Sequence, residues 1–221
     1  MNDGSNVRDQ LREKLLGLPF SSFLRCLADL LERMGYSDVS LSSRKDWRGR
    51  NGKDGNGGYD LSARLNVGGV ARRIAIQAKQ FDDSQRVYLS QVDALRGVCL
   101  RAGATEGLLL TTGPVSSRIP RTILAATSFA PVRVVDGAEL HDLLFTHLVG
   151  IWQERGNKEE AVRYGVDEAY FAGLAKERKG NSRDDCVVAP PAPAMPQFLV
   201  TVAINPASFG QVSAGRMKNT A

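Results

Sequence analysis

Apolar residues recur at helical spacing in two stretches near the start of the chain. Val7, Leu11, Leu15 and Leu16 predict a short amphipathic helix over 7–16, ended before Pro19. Phe20, Phe23, Leu24, Leu27, Leu30, Leu31 and Met34 form the stripe of a core helix over 20–34, with Gly35 placed to cap its C-terminus. Residues 36–42 alternate weakly, with Val39 and Leu41 facing one way, and predict a first strand.

The clearest pattern follows between Gly57 and Phe81, where two alternating segments meet at Gly68-Gly69. That is the signature of a β-hairpin with a tight turn. A turn centred between the glycines gives one face Leu61, Ala63, Leu65, Ile74 and Ile76, and the other Asp60, Ser62, Arg64, Ala75, Gln77 and Lys79. Asp60 then lies directly opposite Gln77. Opposed side chains have Cβ atoms roughly 5 Å apart and diagonal ones about 7–8 Å, so Lys79 is within reach of Asp60 too.

Downstream, the periods alternate between strand and helix. A helix is predicted over 84–102 with Val87, Leu89, Val92, Leu95, Val98 and Cys99 inward and Gly103 as its stop. Residues 106–113 (EGLLLTTG) suit a strand covered on both faces; a helix over 116–129, a strand over 131–136 and a helix over 138–151 complete the series. Strands alternating with helices after a hairpin imply an α/β layered domain with a mixed sheet, ending near residue 150. Residues 152–179 read as a charged helix with Val162, Val166, Tyr170 and Leu174 as a narrow stripe. The expected organisation is thus an N-terminal helix (1–19), a main domain (20–150), a helical extension (151–180), a Pro-rich linker (181–197) and a tail (198–221) whose FLVTVAI segment could add to a sheet edge in this chain or another.

Composition narrows the class. The 221 residues suffice for one well-buried domain with appendages. No run approaches the roughly 20 apolar residues that span a bilayer, and the first residues lack a signal-peptide layout, so no membrane partner and a cytoplasmic site are expected. Cys26, Cys99 and Cys186 fit reduced structural thiols, and with His141 and His147 they form no zinc constellation, so any metal should be a hard one on oxygen. The net charge of +5 favours anionic partners. Arg44, Lys45, Arg48, Arg50 and Lys53 cluster in a Gly-rich segment with Trp47, a composition that can follow a DNA backbone and that would equally suit a solvated loop.

Chemically, a carboxylate beside an amide oxygen can hold Mg²⁺, and a nearby lysine can steady developing charge or an attacking water, the parts phosphodiester hydrolysis uses. A merely solvated hairpin face would show the same residues. The wider pattern distinguishes them: Gly57-Gly58-Tyr59-Asp60 followed by Gln77-Ala78-Lys79 resembles the active-site hairpin of Mrr-like restriction endonucleases, a type IV restriction branch of the PD-(D/E)xK nuclease superfamily that often carries Gln-x-Lys. The resemblance extends in order through Phe23, Leu30-Leu31, Gly35-Tyr36, Leu95-Arg96-Gly97, the GLLLTTG segment from Gly107 to Gly113, Val134-Val135-Asp136-Gly137, Leu140 and Leu143.

The resemblance implies a restriction-endonuclease-like three-layer α/β fold with a central mixed sheet. It implies Asp60, Gln77 and Lys79 as catalytic residues, and Asp60, Gln77 and the Ala78 carbonyl as ligands of Mg²⁺, with Mn²⁺ as the alternative. Thr111, Thr112 and Ser116 lie where hydroxyls could meet a phosphate, although Ser116 or Ser117 also suits a helix N-cap. Such enzymes commonly carry a glutamate directly after the phenylalanine of the first core helix; here that position is Leu24, so the acid is missing unless Glu13, Glu32 or Asp54 substitutes, and Glu32, on the wrong helical turn, and Asp54, on a Gly-rich loop, are poor substitutes. Two readings follow: a Mg²⁺-dependent DNA endonuclease in defence against foreign or modified DNA, or a weakly active or inactive nuclease-fold DNA-binding and assembly subunit. RNA cleavage is a third. Cutting both strands favours a homodimer, and the C-terminal extension is the place for a partner subunit.

Overall fold

The structure is a computed structural model and describes residues 4–42, 58–119, 130–154 and 162–176, all within one compact unit. The basic segment at 44–53 with Trp47, Asp54, the expected helical stretch 120–129, Cys186, the Pro-rich linker and the FLVTVAI tail lie outside the described residues.

Two helices open the chain, α1 (Gly4–Gly17) and α2 (Phe20–Arg33). The α2 helix ends as its sequence dictates. Gly35 takes φ +89°, its N–H bonds the Glu32 carbonyl, and the Tyr36 N–H reaches back to the Leu31 carbonyl, a left-handed cap that satisfies two helix-end acceptors. Phe20, expected inside, is 43% exposed because it occupies the first position of α2.

A five-stranded mixed sheet follows, with β1 (Ser37–Leu41), β2 (Leu61–Val67), β3 (Val70–Lys79), β4 (Glu106–Thr111) and β5 (Val132–Val135) side by side in chain order. Strands β1 to β3 are antiparallel, and β3 to β5 parallel. Parallel neighbours need crossovers. The helix α3 (Leu89–Ala102) supplies the first, and α4 (Gly137–Thr146) follows β5. Alternation sorts the sheet into two buried faces. Ile74, Ile76, Ala78, Leu108 and Leu110 pack with α1, α2 and α4, whereas Ala75, Leu109 and Val132 pack with Val92, Leu95, Val98 and Cys99 of α3. The fold is therefore the expected three-layer α/β arrangement around a mixed sheet.

Burial pushes the Cys26 thiol up to about 12 and that of Cys99 to about 11. Both are free, protonated and unreactive at neutral pH. Among the described residues no helix is long and apolar enough to cross a membrane.

Three expected elements differ. The helix expected over 84–102 begins only at Leu89, because the Asp82 carboxylate binds the Ser84 N–H at 2.9 Å and Val87 is drawn into a parallel bridge with Val115. The helix expected over 138–151 ends at Thr146: Leu148 and Gly150 turn left-handed, and the Phe171 ring packs so closely on Gly150 that a Cβ there would lie 2.7 Å from it. The charged helix expected over 152–179 is instead an antiparallel pair, β6 (Ile151–Glu154) and β7 (Arg163–Val166), followed by α5 (Glu168–Lys176). Trp152 faces Gly165 in that pair, and its indole fills the space a side chain there would take. This segment joins the main core through Ile151, Val166 and Phe171, and the Tyr170 hydroxyl donates to Asp29 of α2 at 2.6 Å.

The ends of β4 and β5 meet at Gly137, whose N–H bonds the Gly113 carbonyl at 3.1 Å. A Cβ on Gly137 would collide with the backbone carbonyl of Thr112. Backbone cannot swing aside as a side chain can, so Gly137→Ala is expected to destabilise by about 1–3 kcal/mol, read as a lowered thermal midpoint with unchanged far-ultraviolet circular dichroism.

Candidate active site

The hairpin holds the register its sequence demands. Gly68 and Gly69 adopt φ of +57° and +82°, the two positive values a type I′ turn requires, and Leu61 pairs with Ile76, Ala63 with Ile74 and Val67 with Val70. Asp60 follows one step beyond the last pair. Its N–H donates to the Ile76 carbonyl at 2.7 Å, while its Oδ2 accepts the Ala78 N–H at 2.8 Å. The carboxylate thus takes over where the β2 backbone leaves the ladder.

Alternation also fixes the Ala78 carbonyl. On β3 the Lys79 carbonyl accepts the Thr112 N–H on the β4 side at 3.0 Å, so the N–H and C=O of Ala78 both point toward β2, beside Asp60. The Gln77 amide donates to the Gly58 carbonyl at 3.4 Å, the long limit of a hydrogen bond, which leaves its oxygen for another partner. Asp60, Gln77 and Lys79 are all half-buried. Burial raises the Asp60 carboxyl above its ordinary value, opposed by the Ala78 N–H and by the Lys79 ammonium.

A dehydrated carboxylate with one hydrogen-bond donor has charge left to neutralise. Asp60 Oδ1, the Gln77 amide oxygen and the Ala78 carbonyl are hard oxygen donors of the kind Mg²⁺ selects, and Mg²⁺ is commonly bound by one or two carboxylates with waters completing its shell. The residues therefore fit such an ion. No group of three His, Cys, Asp or Glu side chains converges among the described residues. Leu24, only 9% exposed, is part of the core against the sheet, and Glu13 and Glu32 sit exposed on α1 and α2. Among the described residues, Asp60 is thus the one carboxylate placed on the hairpin end.

The other expected DNA contacts divide. Thr112 is buried and donates its hydroxyl to the Phe81 carbonyl at 2.7 Å, and the Thr111 hydroxyl accepts the Gly113 N–H at 3.0 Å. The Thr112 hydroxyl ties the exits of β3 and β4 together and the Thr111 hydroxyl braces the turn after β4, so both are engaged within the protein. Ser116 caps a local turn by accepting the Arg118 N–H at 3.3 Å and lines a surface cavity.

Gln80 was not among the expected site residues. Its amide nitrogen lies 2.6 Å from the Leu15 carbonyl and 2.8 Å from that of Leu18, clamping the end of β3, next to Lys79, onto the end of α1. The available signal was alternation: Gln80 follows Ile76 and Ala78 on the buried face, where a polar group needs partners.

Residues 16–144, more than half of the chain, match the Mrr_cat family, described as restriction endonucleases. No curated protein matches the chain significantly. Among solved structures, the DNA modification-dependent restriction endonuclease AspBHI is 19% identical with a TM-score of 0.51, over 65% of this chain and 36% of that one. MspJI restriction endonuclease in complex with a 27-mer oligonucleotide is 19% identical with a TM-score of 0.43, over 66% and 32%. The chain spans about a third of the length of either. The AspBHI likeness is one of fold, and the family match covers the hairpin, all five strands of the main sheet, α2, α3 and most of α4. By its sequence from Leu16 to Leu144, the chain belongs to the Mrr_cat restriction endonuclease family.

Proposed function

We propose that the chain is a metal-dependent DNA endonuclease acting against foreign or modified DNA. What supports this reading is the Ala78 N–H hydrogen bond to the half-buried Asp60 carboxylate and the Lys79 ammonium acting on that carboxylate, on the hairpin of a restriction endonuclease family member. Asp60, Gln77 and Ala78 would hold Mg²⁺ or Mn²⁺. When bound, such an ion activates water and stabilises charge on the phosphate oxygens. The Lys79 ammonium, close enough to act on the Asp60 carboxylate, would steady the attacking water and the charge that builds as the ester bond breaks. Gln77 contributes an oxygen without charge, so the site keeps a lower negative charge than a two-carboxylate centre.

Leu24 favours a second reading, a nuclease-fold DNA-binding subunit with little or no cleavage, since among the described residues Asp60 alone would supply anionic charge to the ion. Plasmid incubated with Mg²⁺ and the wild-type chain, Asp60→Ala or Lys79→Ala separates them. Cleavage by the wild type alone supports the enzyme. Equal cleavage by all three contradicts it, and DNA binding without cleavage by any of them supports the binding subunit.

A further inference from the structure

Strands β3 and β4 are parallel, so the loops that follow them, 80–88 and 112–119, leave the sheet at the end where Asp60, Gln77 and Lys79 sit. Ligands of open α/β sheets bind at this carboxyl end. The two loops are pinned together. The Val87 N–H donates to the Pro114 carbonyl at 3.0 Å, and the Ser116 N–H to the Val87 carbonyl at 2.9 Å, forming an isolated parallel bridge between Val87 and Val115. Beside that bridge lies a surface cavity of about 420 Å³ lined by Arg86, Tyr88, Ser116, Ser117 and Arg118.

The lining has one electrostatic sign. Two guanidinium groups, two serine hydroxyls and a phenol face it, with no acid among them. Several of the described surface arginines are held in ion pairs: Arg64 by Asp38 at 3.0 Å, Arg72 by Glu106, and Arg133 by Glu139. Arg86 and Arg118 make no ion pair among the described residues. Tyr88, 54% exposed, is also the N-cap of α3, so the positive end of that helix dipole adds to the field. Unpaired guanidinium forks beside hydroxyl donors suit phosphate oxygens, and the backbone bridge holds the two arginine-bearing loops in fixed relation.

We infer that this cavity is a DNA backbone-phosphate subsite, separate from the Asp60 centre, in which Arg86 and Arg118 neutralise phosphates flanking the one to be cut. The inference rests on the nuclease reading above and adds a binding site to it. Phosphate contacts at the exit loops fix the register of the strand across the hairpin end while carrying no sequence information.

The test is the anisotropy of a labelled DNA duplex in EDTA across a potassium chloride series, so that binding is read without cleavage. The full chain is compared with Arg86→Ala/Arg118→Ala, with Arg86→Lys/Arg118→Lys, and with the charge-matched Arg64→Ala/Arg72→Ala. The Arg86/Arg118 alanine pair is expected to weaken binding roughly ten-fold and to lower the salt slope by about 1–2, while the lysine pair keeps the slope. The control pair, which does not line this cavity, should change the slope less. Wild-type binding that is unaltered by the Arg86/Arg118 alanine pair, or lowered equally by the control or the lysine pair, overturns the subsite and leaves the nuclease reading standing. Failure of the wild type to bind DNA overturns both.

Discussion

Asp60→Asn is expected to abolish metal-dependent cleavage, by a factor on the order of 10³, and yet to make the metal-free protein more resistant to heat at neutral pH. The two effects share a cause. The Asp60 carboxylate is half-buried at the end of β2 with one hydrogen bond among the described residues, from the Ala78 N–H, and burial raises its proton affinity. A carboxyl whose folded affinity exceeds its unfolded one favours the folded state only while protonated. Its contribution is full below the ordinary carboxylate range, near pH 4, and is lost as the pH rises through the raised folded value. At neutral pH the wild type therefore carries the cost of a dehydrated charge, which asparagine avoids while its own oxygen still accepts the Ala78 N–H. In EDTA the melting difference between the two proteins should be present at neutral pH and shrink below about pH 4. Added Mg²⁺ should raise the wild-type midpoint and leave that of Asp60→Asn in place. A variant that melts lower than the wild type at neutral pH would show that Asp60 serves stability and not a cation.

The second large effect is expected at Gln80. Replacing it with leucine keeps the bulk of the side chain and removes the donors held 2.6 and 2.8 Å from the Leu15 and Leu18 carbonyls. The Leu18 carbonyl loses these donors outright and the Leu15 carbonyl keeps only the Leu18 N–H at 3.4 Å; with about 1–3 kcal/mol for an acceptor left without a partner and less for the other, the loss is about 2–4 kcal/mol. For a chain of this size that is a drop of roughly 5–15 °C in the thermal midpoint. Gln80→Glu should be at least as harmful although nearly isosteric, because an ionised carboxylate has no proton to donate and repels both carbonyls. Cleavage should fall as well, since Gln80 is the residue after Lys79 and fixes the strand end that carries it. A Gln80→Leu protein melting with the wild type would show that water satisfies those carbonyls instead.

Where local chemistry and tertiary packing agree, the sequence was enough. The Gly68-Gly69 turn and the alternation on either side of it gave the hairpin register residue by residue from Leu61–Ile76 to Val67–Val70. Gly35 and Gly103 marked helix ends because both are left-handed in the fold. Misreadings fall where distant partners decide. Val87 has the apolar character of a helix residue, yet its backbone is taken by Pro114 and Ser116. The β6–β7 pair is four residues per strand, too short for alternation to register, and depends on Trp152 lying over Gly165. In the candidate site, Thr112 has the right chemistry for a phosphate, and its hydroxyl is engaged by the Phe81 carbonyl. Arg86 and Arg118 are far apart in sequence, and only the parallel order of β3 and β4 brings their loops to one cavity.

The most direct test is an anomalous difference map from crystals of the chain soaked in Mn²⁺. The ion is expected roughly 2.1 Å from Asp60 Oδ1 and the Ala78 carbonyl oxygen, with Lys79 beside its outer waters. An ion bound elsewhere while Asp60 keeps only its Ala78 hydrogen bond would contradict the hairpin as the hydrolytic centre.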